Sequence, residues 1–318
     1  MSTGDARAAR AGRVPALDGV RAIAILLVFY GHFIGPEIIA RAGVHLFFLL
    51  SGYLITGILA RELRATGRLS LRRFYWRRAC RILPPYVLWL AVTWIMISPG
   101  SAEFGTLAAL GTFTTNYWHV FGITGSEPTW SFVAMTTHAW SLAVEEQFYL
   151  LWPLLLGAVG LRRAPRVLLY IAVAMLGWTT IAALLGAGEQ YLTRAFEVEG
   201  VWLALGCLAG LKWGDKRWTA PVLSARPLAW IGAISYPLYL WHYWGAWASF
   251  TLPPILLPPV IRIPFAILLT TVLACTSYYL VERPILRWRD RTTPRISRDP
   301  GVADGPSALA PAIHRGLQ

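Results

Sequence analysis

Lysine is almost missing from this chain of 318 residues: of its 29 basic side chains, only Lys212 and Lys216 are not arginine. Charge of any kind is scarce at 14%, acids number 16, and 56% of the residues are hydrophobic with a mean hydropathy of +0.51. That apolar share exceeds what a soluble domain of this size needs for its interior, so a polytopic membrane protein is expected. Only three cysteines occur, Cys80, Cys207 and Cys275. Their spacing fits neither a metal site nor a disulfide framework, and they read as small apolar residues. The net charge of +13 comes from arginines scattered between apolar runs, which excludes a nucleic-acid-binding domain and points to positive-inside topology. Sixteen tryptophans suit a bilayer interface.

Apolar windows long enough to cross about 30 Å of hydrocarbon fall near 20–36, 44–60, 82–98, 138–159, 167–186, 195–211, 227–248 and 262–281. A further span is expected over 104–121, with 122–137 too polar to assign. Between 61 and 81 stand eight arginines (61, 64, 68, 72, 73, 77, 78 and 81) against the single acid Glu62, which places this loop in the cytoplasm. The turns 161–166 and 212–217 and the segment from Arg283 also read as inside. The expectation is an all-α polytopic membrane bundle of about ten transmembrane helices with cytoplasmic termini. A basic tail over 1–13 leads without a cleavage site into a membrane unit over 14–288, and 289–318 lacks apolar periodicity and reads as a disordered tail with no further domain.

Inside these windows lie a few polar groups. RAIAILLVFYGH sets Arg21 and His32 on one helical face, ~16 Å apart along the axis. Ionisable groups at membrane depth are costly and mark functional sites, although a histidine can also serve as interhelical glue. GVHLFFLLSGYLI carries His45 and the Ser51-Gly52 pair, in which glycine permits close helix approach. RRFYWRRACRILPPY places Arg78 and Arg81 one turn apart before a helix expected to begin at Pro84 or Pro85. Two guanidiniums there suit phosphates, or equally lipid headgroups. In HAWSLAVEEQFYLLWP, His138, Ser141 and Glu145 share a stripe and Glu146 stands beside it. SYPLYLWH adds Tyr239 and His242, and LVERP adds Glu282.

Taken in this order, LDGVRAIAILLVFYGH, GVHLFFLLSGYLIT, RRACRILPPY, HAWSLAVEEQFYLLWP, ISYPLYLWH and LVERP resemble membrane-bound acyltransferase family 3, integral O-acyltransferases of envelope sugars and some macrolides. The resemblance covers roughly residues 14–288. It implies transfer of a short acyl group, from cytoplasmic acyl-CoA (acetyl-CoA first) to a hydroxyl of a sugar or a macrolide-like product, by a multi-pass protein of the bacterial cell membrane with no metal. Arg21 and His32 match its opening motif, Arg78 and Arg81 its Arg-x-x-Arg pair, and Glu145 and Glu146 its paired carboxylates. His45 stands where an acid is usual, so the partner of the family's histidine is open here, with Glu37 or Glu145 as candidates.

On this reading the arginines hold the CoA phosphates. His32 acts as general base on the acceptor, and Glu145 or Glu146 orients an imidazole or the sugar. His45, Ser51, His138, Tyr239 and His242 are possible supporting groups. An acyl-enzyme on Ser51 or His32 remains an alternative, as does a secondary transporter or flippase using the same intramembrane polar groups.

Overall fold

The computed structural model describes residues 15–97, 104–120, 132–214, 220–253 and 258–292. Every regular element among them is helical. In chain order these are α1 (Pro15–Phe33), α2 (Glu37–Thr66), α3 (Leu71–Ile97), α4 (Phe104–Gly111), α5 (Thr115–Val120) and α6 (Phe132–Thr136). A 3-10 turn (Thr137–Ala139) then leads into α7 (Trp140–Leu184), α8 (Glu189–Arg194), α9 (Phe196–Trp213), α10 (Arg226–Ala233) and α11 (Ser235–Thr251). Last come α12 (Pro259–Ser277), a π-helical turn (Tyr278–Glu282) and α13 (Arg283–Thr292). Among the described residues, five helical stretches are long and apolar enough to cross a membrane: Pro15–Phe33, Glu37–Thr66, Leu71–Ile97, Phe132–Leu184 and Val260–Thr292.

Several expected boundaries move, each for a local reason. The helix expected from Pro84 begins at Leu71 and carries Pro84 and Pro85 in its interior, so Arg78 and Arg81 lie on α3 itself. The expected turn at 161–166 contracts to Gly160, whose φ of 67° breaks α7 sharply while 161–166 stay helical. The window at 227–248 is two helices meeting at Ile234. The span expected over 104–121 is instead the short pair α4 and α5, separated at Phe113 by a left-handed φ of 52°. The helix at the other end continues past Arg289 to Thr292, so 289–292 are ordered helix, and the remainder of the expected tail lies outside the described residues.

The bundle centres on α2 and α9, which run parallel in tight register. An added Cβ on Gly52 would lie 2.2 Å from the Leu203 carbonyl oxygen, and one on Gly206 would lie 2.2 Å from that of Leu49. Gly206 and Gly210 form a small-xxx-small stripe on α9, and backbones approach there because no side chain intervenes. Gly206→Ala should therefore force the pair apart and lower stability by about 1–3 kcal/mol, read as thermal unfolding of the purified protein in detergent. An unchanged melting profile would show that the helices separate without cost. Around this pair pack α1 and α7, closing a core that contains Trp89, Phe48, Ile55 and Leu203.

Candidate active site

Polar side chains gather in two clusters toward opposite ends of α1. At its C-terminal end, His32 Nδ1 lies 3.0 Å from His242 Nε2 of α11 with the two rings stacked, and His242 Nδ1 lies 2.6 Å from the Tyr239 carbonyl oxygen. A carbonyl only accepts, so His242 Nδ1 carries the hydrogen. Neutral His242 then has an accepting Nε2, and His32 must donate to it from Nδ1. The consequence is a fixed tautomer in which His32 Nε2 holds the lone pair of a base.

His138, in the 3-10 turn before α7, is buried beside this pair. Its ring stacks on Tyr243 at 4.6 Å between centroids and meets His242 nearly edge-on at 4.9 Å. Tyr239 fixes the turn by donating from its hydroxyl to the His138 carbonyl at 3.0 Å, and the Ser141 hydroxyl lies 2.6 Å from the same Tyr239 oxygen. His32, His138 and Tyr243 line a cavity of about 220 Å³ whose walls include Trp140, Arg41 and Arg194. Glu37 and Glu189 are exposed on the same lining. The helix α8, which supplies Arg194, and α5 are both tied to α9 through one carboxylate: Glu197 accepts from Tyr191 at 2.6 Å and from Tyr117 at 2.5 Å. Burial, reinforced by that carboxylate, raises both phenols above their ordinary range, so they stay donors.

The second cluster lies toward the N-terminal end of α1. Arg21 pairs with the buried Asp18 at 2.9 Å. The Arg78 guanidinium covers the Tyr149 ring at 5.2 Å, and Arg21, Arg78 and Arg81 act on one another electrostatically. Ser51 donates to Glu145, and Tyr149 donates to Ser51 at 3.1 Å. The expected stripe His138, Ser141, Glu145 thus serves three neighbours: the cavity, Tyr239 and Ser51. Of the expected roles for Glu145 or Glu146, orienting an imidazole or the sugar, Glu145 makes no imidazole contact and meets a serine instead; six residues of α7 carry it away from His138. Glu146 faces Arg78 and Glu145. Glu282 is fully buried in the π turn.

His45 does not line the cavity. It lies 2.9 Å from Glu199 of α9 and stacks on Trp202 at 4.6 Å, while Arg41 reaches the same carboxylate at 3.6 Å. Sequence reasoning passed over Glu199, although an acid inside the apolar window 195–211 is the same signal that drew attention to His32. Tyr243 and Arg194 carried no signal beyond residue type.

A multi-pass bundle with a buried histidine relay beside a polar cavity is an arrangement suited to group transfer at a membrane. The acyltransferase-domain family profile matches residues 14–219, and the chain belongs to that family. It is a multi-pass membrane protein of bacterial type. Among its relatives are a protein named putative peptidoglycan O-acetyltransferase YrhL from Bacillus subtilis and the peptidoglycan O-acetyltransferase OatA of Listeria monocytogenes. Each is 26% identical over 86% of this chain, covering 55% and 56% of the relative. The O-acetyltransferase OatA of Staphylococcus aureus is 26% identical over the same share of this chain and 57% of its own. The chain therefore spans about half the length of the curated relatives it matches. No solved structure matches.

Proposed function

We propose that this chain is a membrane O-acyltransferase that moves a short acyl group from acyl-CoA to a sugar hydroxyl, with His32 as general base. The observation that carries this reading is the chain of hydrogen bonds from the Tyr239 carbonyl through His242 to His32, which leaves Nε2 of a cavity-lining imidazole free to take a proton. The acceptor oxygen, losing its proton to His32, attacks the acyl carbonyl, and the thiolate leaves with that proton. Arg21, Arg78 and Arg81 suit the CoA phosphates, with the N-terminal end of α1 facing the cytoplasm, and the extended pantetheine arm is long enough to carry the thioester along α1 toward His32. The relatives' names favour a glycan acceptor and an enzyme over a transporter. Cavity size also favours a glycan acceptor: about 220 Å³ falls below the ~300–1,000 Å³ of sites for drug-sized ligands and suits one sugar ring rather than a macrolide.

The test is transfer of labelled acetyl from acetyl-CoA to peptidoglycan fragments by membranes containing this protein, read as alkali-labile ester. Label above that of membranes lacking the protein is expected; none with any glycan acceptor would overturn the reading. His242→Phe keeps the stack but removes the acceptor for His32 Nδ1–H. Turnover should fall by about 10²-fold as the imidazole loses its orientation, with acceptor KM little changed. Parent-like turnover would show that His32 is held by packing alone.

One observation favours a two-step variant. Ser51, bonded to Glu145 beside the arginines, pairs a hydroxyl with a carboxylate base, so an acetyl-serine formed there from acetyl-CoA would precede transfer. Acid quenching with labelled donor and no acceptor would leave label on the parent protein and none on Ser51→Ala; an unlabelled parent excludes this route.

A further inference from the structure

His138 is 2% exposed, yet among the described residues neither ring nitrogen makes a well-formed hydrogen bond, the Leu240 backbone lying near enough only for a weak one. Leaving such atoms unsatisfied costs about 1–3 kcal/mol each, so their retention calls for a partner from outside the chain. The ring lines the same cavity as His32. It is also rigid: the Tyr243 face, the edge of His242 and Trp89 enclose it, and the Tyr239 hydroxyl fixes the backbone beneath it. The three cavity-end histidines thus differ in what they have left to offer. His242 uses both nitrogens, His32 uses one and keeps a lone pair, and His138 has neither in a well-formed bond to the described residues.

An acyl transfer through a tetrahedral intermediate needs a fixed donor for the oxygen that becomes negative, and a base cannot supply it while its nitrogen holds a lone pair. Resting on the acyltransferase reading above, we propose that His138 is a catalytic residue whose ring N–H stabilises the oxyanion of the transferred acyl group. His32 Nε2 removes the acceptor's hydroxyl proton as the new C–O bond forms, and the carbonyl π pair moves onto the oxygen facing His138. When that pair returns, the bond to the donor sulfur breaks and the thiolate takes the proton from His32. In the tautomer with hydrogen on the nitrogen facing the cavity, neutral His138 is a donor, so the role needs no change in its charge.

The test compares His138→Gln, which keeps an N–H donor, with His138→Phe, which keeps the ring and its stack on Tyr243. Both are purified in detergent and assayed for transfer from acetyl-CoA to peptidoglycan fragments. A loss of about 10²–10³-fold in kcat is expected for Phe, with a smaller loss for Gln and acceptor KM within a few-fold of the parent. The acid limb of the pH profile, assigned to His32, should persist in the Gln variant. A merely structural role predicts the opposite order, because Phe preserves the packing and Gln buries an unpaired amide; that order, or a Phe variant as active as the parent, overturns the proposal. Loss of the acid limb in the Gln variant overturns it too, making His138 the base. A parent protein that transfers nothing overturns the acyltransferase reading and this proposal with it, whereas an active parent with an active Phe variant overturns this proposal alone.

Discussion

His32→Ala should lower acyl-transfer turnover by about 10²–10⁴-fold, the usual contribution of a positioned general base. The variant retains the cavity and the arginine cluster, which lies some three helical turns away along α1, so donor binding should survive and the loss should fall on kcat. His242 loses its hydrogen-bonding neighbour in this variant, but its Nδ1 remains held by the Tyr239 carbonyl, so the second imidazole keeps its place. The parent's rate should fall toward low pH as His32 takes a proton from solvent and can no longer accept one from the substrate. The residual rate of His32→Ala should lose that limb. A variant with parent-like turnover, or one whose acid limb is unchanged, would remove His32 from the chemistry.

Glu199→Ala should cost about 3 kcal/mol of stability, the lower end of the range for breaking a buried ion pair, because Arg41 and His45 keep some contact with water. Glu199 is 3% exposed and holds two groups of α2 at the point where α2 and α9 begin their parallel packing. Without it Arg41, which also lines the cavity, loses its anchor. Thermal unfolding in detergent measures the cost. Replacing Glu199 and Arg41 together by leucine should recover part of it, since removing the carboxylate with its permanently charged partner leaves less uncompensated charge than removing the carboxylate alone. Equal melting of Glu199→Ala and the parent would show that Arg41 and His45 are satisfied by other groups.

His45 itself marks a limit of motif reading. An acid is usual at its position in the resembling family, and its replacement by a base left the partner of His32 open, with Glu37 or Glu145 as candidates. The structure gives His242 as that partner and supplies an acid to His45 from α9. A contact across 210 residues of sequence leaves no trace in local spacing. The same holds for Ser51 and Glu145, 94 residues apart.

Composition and apolar periodicity alone determined that this chain is helical and built for a bilayer, because a run of about twenty residues without charge has few other stable settings. They also singled out Arg21, His32, His138, Glu145 and His242, because polar groups are expensive in such runs. Helix breaks were less legible: Gly160 and Phe113 turn the chain through single left-handed residues, and Pro84 and Pro85 do not end α3. Only the tertiary structure decided which polar groups meet. It brought His32 and His138 to one cavity with His242 buried behind them, gave His32 its tautomer through His242 and sent Glu145 to Ser51. Those pairings follow from how closely α1, α2, α7, α9 and α11 can approach, which is set by glycine contacts and side-chain packing between segments far apart in the chain.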